Sequence, residues 1–76
     1  MNDLLLDDKE RLWHFLKQRK FVRTSEIIRW GSNNGSNRAD RNARDFAERG
    51  LMRRLTEDEV ERLYGRIGEG VYEVKA

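Results

Sequence analysis

Three arginines spaced three residues apart, Arg38, Arg41 and Arg44, follow Asn37 and precede the pair Arg53-Arg54. A guanidinium offers five N–H donors in a rigid planar fork, a shape suited to phosphate and to the edge of guanine. Residues 9–54 hold 13 Lys+Arg against 5 Asp+Glu, a net of +8, whereas residues 1–8 and 55–76 each carry −3. The whole-chain value of +2 conceals this segregation. A concentrated cation between two acidic ends points to a polyanionic partner.

Other chemistries find little to work with. The chain has no cysteine and a single histidine, His14, which excludes disulfides, thiolate zinc sites and multi-histidine metal sites. No loop is built to hold a metal with carboxylates alone. Gly31 and Gly35 lie in a polar turn, but no Lys-Ser/Thr pair follows them and no long strand precedes them, so they do not form a phosphate loop. No nucleophile–histidine pairing is visible, so we expect no catalytic residues, no metal ligands, no cofactor and no enzymatic activity. Charged residues make up 39% and hydrophobic residues 37%, the balance of a water-soluble domain. The apolar run Leu4-Leu5-Leu6 is flanked by Asp3 and Asp7 and is far too short for a membrane span or a signal peptide. An intracellular, cytoplasmic protein without a membrane partner is expected.

The elements that must position the arginines follow from caps and periodicity. At 76 residues, the chain forms one domain, residues 1–76. Asp7 is a good N-cap with Glu10 three residues on, and Leu5, Leu12 and Leu16 make a helical stripe, predicting a first helix over residues 7–19. Lys17-Gln18-Arg19-Lys20 ends it with positive charge, favourable at the negative end of the helix dipole. Phe21-Val22-Arg23 has extended character. Thr24 or Ser25 then caps a short helix over residues 25–30, which Gly31 stops. The segment from Gly31 to Asn37 reads as the turn between two helices. A third helix spans residues 37–49, capped by Ser36 or Asn37 and closed by Gly50, with Ala39, Ala43, Phe46 and Ala47 on one face. Period-two alternation then predicts strands over residues 51–55 and 70–75, antiparallel partners. Thr56-Glu57-Asp58-Glu59 is a capping-box pattern that opens a short helix over residues 57–64 between them.

This order resembles the winged helix-turn-helix family over nearly the whole chain, from about Asp7 to Lys75. The strongest local match runs from Ser36 to Leu55. There Ala43, Phe46, Gly50 and Leu51 fill the family's "small–x–x–large–x–x–x–Gly–hydrophobic" pattern, which marks a recognition helix entering the first wing strand. The resemblance implies an α+β fold: a three-helix core with a two-stranded antiparallel β-wing and a short helix in the wing connection. It also implies sequence-specific binding of double-stranded DNA by a small transcriptional regulator or mobile-element protein, with the helix over residues 37–49 in the major groove.

Under that resemblance Asn37, Arg38 and Arg41 are the candidates for base readout, beside Ser36 at the helix start. Arg44 is placed farther along for phosphate. Thr24 and Ser25 could offer hydroxyl and backbone donors to another phosphate, and Arg53 and Arg54 could reach the flanking backbone. A small core favours a homodimer reading paired half-sites, with Trp13, Leu4 and Leu6 as the surfaces to join it. One stretch departs from the family. A wing is commonly basic, yet Glu57, Asp58, Glu59 and Glu61 would be repelled by phosphate. The acidic segment over residues 55–64 therefore either points away from DNA, with only Arg62 and Arg66 approaching it, or is itself a docking surface for a protein partner. The latter is the alternative reading: a winged-helix protein-interaction module.

Overall fold

A computed structural model describes residues 7–75 of the chain. Among them lie four helices and three strands in the order α1 (Asp8–Leu16), β1 (Phe21–Arg23), α2 (Thr24–Asn33), α3 (Ala39–Glu48), β2 (Met52–Arg54), α4 (Glu57–Tyr64) and β3 (Val71–Val74). None of these helices is long and apolar enough to cross a membrane. Leu4, Leu5 and Leu6 fall outside the described residues.

Local capping accounts for several boundaries. The Asp7 carboxylate accepts the Glu10 backbone N–H at 2.8 Å and starts α1 where expected. The helix ends at Leu16 rather than at Arg19, because the chain must turn at Lys17–Lys20 to bring the Lys20 carbonyl to the Val74 N–H at 2.9 Å. Gly50, at φ +81°, closes α3 as predicted. The Leu51 N–H reaches the Phe46 carbonyl and the Gly50 N–H the Ala47 carbonyl, both at 3.0 Å, a Schellman closure. Thr56 and Glu59 cap each other: the Thr56 hydroxyl accepts the Glu59 N–H at 3.2 Å and the Glu59 carboxylate accepts the Thr56 N–H at 2.9 Å. The helix that follows has the predicted span.

Further expectations are corrected. Neither Thr24 nor Ser25 is the N-cap of the second helix, which begins at Thr24 with Arg23 in that position, because Arg23 is the last residue of the extended strand β1. Gly31 does not stop the second helix, which continues to Asn33; the turn is made by Gly35 at φ +70°. Gly31 is needed for closeness instead, since a Cβ there would lie 2.5 Å from the Ser36 carbonyl oxygen and 2.8 Å from the Ala39 Cβ. Neither Ser36 nor Asn37 caps α3: the N-cap position is Arg38, without a side-chain cap bond, and Ser36 is buried with its hydroxyl unpartnered. The sheet has three strands, not two. Phe21–Arg23 joins it, and the order is β1-β3-β2, with β3 antiparallel to both neighbours.

The central position of β3 gives the sheet two working faces. Val22, Met52, Tyr72 and Val74 turn one face to the helices, where they enclose a core with Leu12, Leu16, Ile27, Ala39, Ala43 and Phe46. Each fully buried aliphatic side chain there contributes about 1.5–3 kcal/mol relative to exposure. Trp13 and Trp30 are half-buried at its margin. Trp13 meets Phe46 with ring centroids 5.3 Å apart, and Trp30 stacks on Phe15 at 5.8 Å. Val71 and Leu55 belong to the opposite face. There they pack with Val60 of α4, flanked by Phe21 and Ile67, in a second, smaller cluster. Strand alternation thus puts α4 on the side of the sheet away from α1 and α3.

Candidate nucleic-acid interface

The strongest concentration of unengaged positive charge lies on α3 and in the turn before it. Ala39, Ala43 and Phe46 are buried, so helical periodicity turns Arg41, Arg44 and Glu48 outward. Asn37 and Arg38 precede the first turn and are exposed. Among the described residues Arg38, Arg41 and Arg44 have no carboxylate within ion-pair distance. Of the three carboxylates on α3, Asp45 is turned aside, held by Lys9 at 2.7 Å and Arg49 at 3.0 Å, while Asp40 and Glu48 are exposed and pair with no arginine of the stripe. The Lys9 hydrogen bond is the main reason the Asp45 carboxyl titrates below its ordinary range. That pairing ties α1 to α3 and leaves the arginine stripe without an internal partner.

A shallow groove of about 490 Å³ runs beside this stripe, between the C-terminal half of α3 and strands β2 and β3. Arg44, Arg54 and Lys75 stand along it, against the single carboxylate of Glu48. Arg54 lies between Tyr72 and Gly70. Its guanidinium lies 5.9 Å from the Tyr72 ring centroid, and a Cβ on Gly70 would come within 2.4 Å of it. Glycine at position 70 is thus the residue that gives Arg54 its seat. Lys75 was not among the residues picked out from sequence. It reads there as a strand end, and its place beside Arg44 comes only from the pairing of Lys75 N–H with the Leu51 carbonyl at 2.9 Å.

Four of the residues expected at the interface stand elsewhere or are already engaged. Arg53 alternates with Arg54 along β2 and so faces the α4 side of the sheet. Its guanidinium donates to both Glu59 oxygens, at 3.0 and 2.9 Å, and to Glu73 at 3.0 Å. Thr24 and Ser25 meet an internal anion. The Glu69 carboxylate accepts the Ser25 N–H at 2.8 Å, the Ser25 hydroxyl at 3.0 Å and the Thr24 hydroxyl at 3.2 Å. The Ser25 N–H bond leads the effects that lower the Glu69 pKa. Ser36 is buried. Glu69 itself was legible only as a carboxylate between two glycines, Gly68 and Gly70, with nothing local to say that it would cap α2.

The acidic segment is separated from the arginine stripe by the sheet. Glu59 is bound to Arg53, which holds its carboxyl down to about 2 with help from the Thr56 N–H. Glu57, Asp58 and Glu61 are exposed on α4, beyond the second cluster. The arginine stripe of α3 and the exposed carboxylates of α4 therefore lie on opposite sides of the sheet.

The architecture defines an α+β domain in which three helices cover one face of a three-stranded antiparallel sheet and a fourth covers part of the other. Comparison with known proteins returns no significant match to a family model, a curated protein or a solved structure.

Proposed function

We propose that the chain is a winged helix-turn-helix domain that binds double-stranded DNA, with α3 entering the major groove. The observation that carries this reading is the outward stripe of Arg38, Arg41 and Arg44, which has no carboxylate partner among the described residues, next to a groove lined by Arg54 and Lys75. The succession α1-β1-α2-α3-β2-α4-β3 with sheet order β1-β3-β2 agrees with a helix-turn-helix followed by a wing whose connection carries a short helix. Asn37, Arg38 and Arg41 lie at the N-terminal end of α3, where side chains meet base edges, and are assigned to base readout. Arg44, Arg54 and Lys75 are assigned to the phosphate backbone. The carboxylates of α4 do not oppose the reading, since they lie across the sheet from the stripe. A small regulator of transcription or of a mobile element fits a domain of this size that works by binding alone.

The test is fluorescence anisotropy of a labelled random duplex at low and moderate salt, comparing the wild type with Arg38→Glu/Arg41→Glu. Binding that weakens steeply with salt and is abolished in the double variant supports the assignment. No binding at low salt, or equal binding by the double variant, overturns it.

A further inference from the structure

Ile27 and Ile28 are neighbours on α2, yet Ile27 is sealed in the core and Ile28 stands 57% exposed. Ile28 borders a shallow dent of about 470 Å³ between α2 and the start of α3. The dent exists because the two helices approach closely at a residue without a side chain. The Ser36 N–H donates to the Gly31 carbonyl at 2.7 Å, and a Cβ on Gly31 would lie 2.8 Å from the Ala39 Cβ. Gly31, Ser36 and Ala39 are buried in the floor, while Ile28, Asn37 and Asp40 are exposed at the edge.

Asn37 and Asp40 each stand one position before an arginine of the stripe, so the dent lies beside Arg38 and Arg41. Asp40 meets no cation within ion-pair distance among the described residues. Three kinds of group therefore share one edge. Ile28 offers an aliphatic surface, the Asn37 amide both donates and accepts, and the Asp40 carboxylate only accepts.

Apolar neighbours that would build a protein contact do not accompany Ile28. The other large apolar side chains exposed among the described residues are Leu51, beyond the C-terminal end of α3, and Leu63 and Tyr64 on α4. A protein interface gathers several such side chains into a core. A single aliphatic tip rimmed by hydrogen-bonding groups instead matches a methyl group set in a polar edge. Among the four ordinary bases only thymine carries a methyl into the major groove, and its partner adenine turns an amino donor and the N7 acceptor to the same groove. A G·C pair offers the cytosine amino group but no methyl, and guanine presents two acceptors, O6 and N7, that a carboxylate repels.

We propose that this dent reads an A·T pair, with the thymine methyl against Ile28 and the adenine amino group at Asn37 and Asp40. The inference rests on the proposed entry of α3 into the major groove. It adds a base identity to that reading, and two residues outside the arginine stripe, Ile28 and Asp40. Ile28 brings α2 into the readout. Asp40 acts by exclusion: its charge opposes DNA in general and opposes it least where an amino group faces it, a repulsive element of the kind that specificity needs.

Selection of sites from a random duplex library, followed by deoxyuridine in place of thymine, tests the contact at a single group, since uracil lacks only the methyl. The selected sites are expected to share an A·T pair at which deoxyuridine weakens wild-type binding by about fourfold, the worth of one buried methyl group. Ile28→Ala, with an unchanged circular dichroism spectrum, is expected to bind the thymine and deoxyuridine duplexes equally. Leu63→Ala, altered on α4 across the sheet, is expected to keep the wild-type difference. Asp40→Asn, which donates as well as accepts, is expected to admit G·C at that pair. Selected sites without a shared A·T pair, equal wild-type affinity for thymine and deoxyuridine, or discrimination that survives Ile28→Ala would each overturn the proposal. If binding then still falls with salt and still needs Arg38 and Arg41, the DNA reading stands without it. A wild type that binds no duplex at low salt overturns both. A dimer of the free protein that sedimentation shows to be lost in Ile28→Ala would assign the dent to a second copy and overturn the base contact.

Discussion

Arg53 and Glu59 form a two-bonded ion pair, at 3.0 and 2.9 Å, that fastens α4 to the sheet face opposite α3. Planar, bidentate pairing of this kind fixes direction as well as distance. Glu73 completes the arrangement from the neighbouring strand. The pair consumes a cation that the sequence offered to nucleic acid and uses it to hold an acidic helix on the far side. Arg53→Ala is therefore expected to speed amide exchange in α4 and lower the melting temperature by a few degrees, while α1 to α3 keep their protection. Uniform loss of protection across the chain would show that α4 is not a separate unit.

The same pair sets an acid dependence. The Glu59 carboxyl is held down to about 2 in the folded chain, against about 4.3 in an unfolded one. A depressed carboxyl contributes stability above its unfolded pKa and loses it as pH falls through the folded value. Wild-type stability should therefore drop between about pH 5 and pH 2, with Glu59→Gln lower at neutral pH and flatter across that window. Urea titrations at stepped pH measure the two slopes, and identical slopes would refute this contribution.

Gly31 supplies a packing test. In an exposed helix interior, alanine in place of glycine gains about 1 kcal/mol. Here the added Cβ would press on the Ser36 carbonyl oxygen at 2.5 Å, and that backbone cannot swing away like a side chain. Gly31→Ala should instead destabilise by on the order of 1–3 kcal/mol, while alanine at the exposed neighbour Ser32 stays near neutral. Denaturant midpoints separate the two outcomes.

Glu69 caps α2 where a phosphate could otherwise bind. Removing it in Glu69→Ala should cost about 0.5–1 kcal/mol of stability, the lower part of the range for a lost helix cap because the carboxylate is partly exposed. Under the proposed function the same change tightens binding to a random duplex, because Ser25 and Thr24 regain free donors and a negative charge is lost. Weaker binding would mean that Glu69 serves the interface by holding the wing in place.

Two arginines distinguish the faces of the domain. Arg41→Ala should reduce the salt dependence of duplex binding by about one unit of slope if it meets phosphate, or cost about 1–3 kcal/mol on a selected site if it reads a base. Arg53→Ala should do neither. Equal effects from both would count against α3 as the binding face.

Much of the local structure could be read before any coordinates. Asp7, Thr56 with Glu59, and Gly50 act on neighbours within five residues, so their caps and closures carry the same meaning in any tertiary setting. The apolar face of α3 follows from spacing alone, and with it the outward direction of Arg41 and Arg44. Tertiary structure decided the rest. Phe21–Arg23 became a strand because β3, about fifty residues later, lay free to pair with it. Gly31 stayed inside a helix because Ser36 and Ala39 close over it, which no local rule for glycine records. Arg53 and Arg54 are adjacent and alike in type, yet strand alternation sends one to two carboxylates and the other to Tyr72. Ser25 met Glu69 across 44 positions of chain. Charge and periodicity determine which residues can bind; long-range pairing determines which of them remain unengaged, since every internal partner removes a group from the surface.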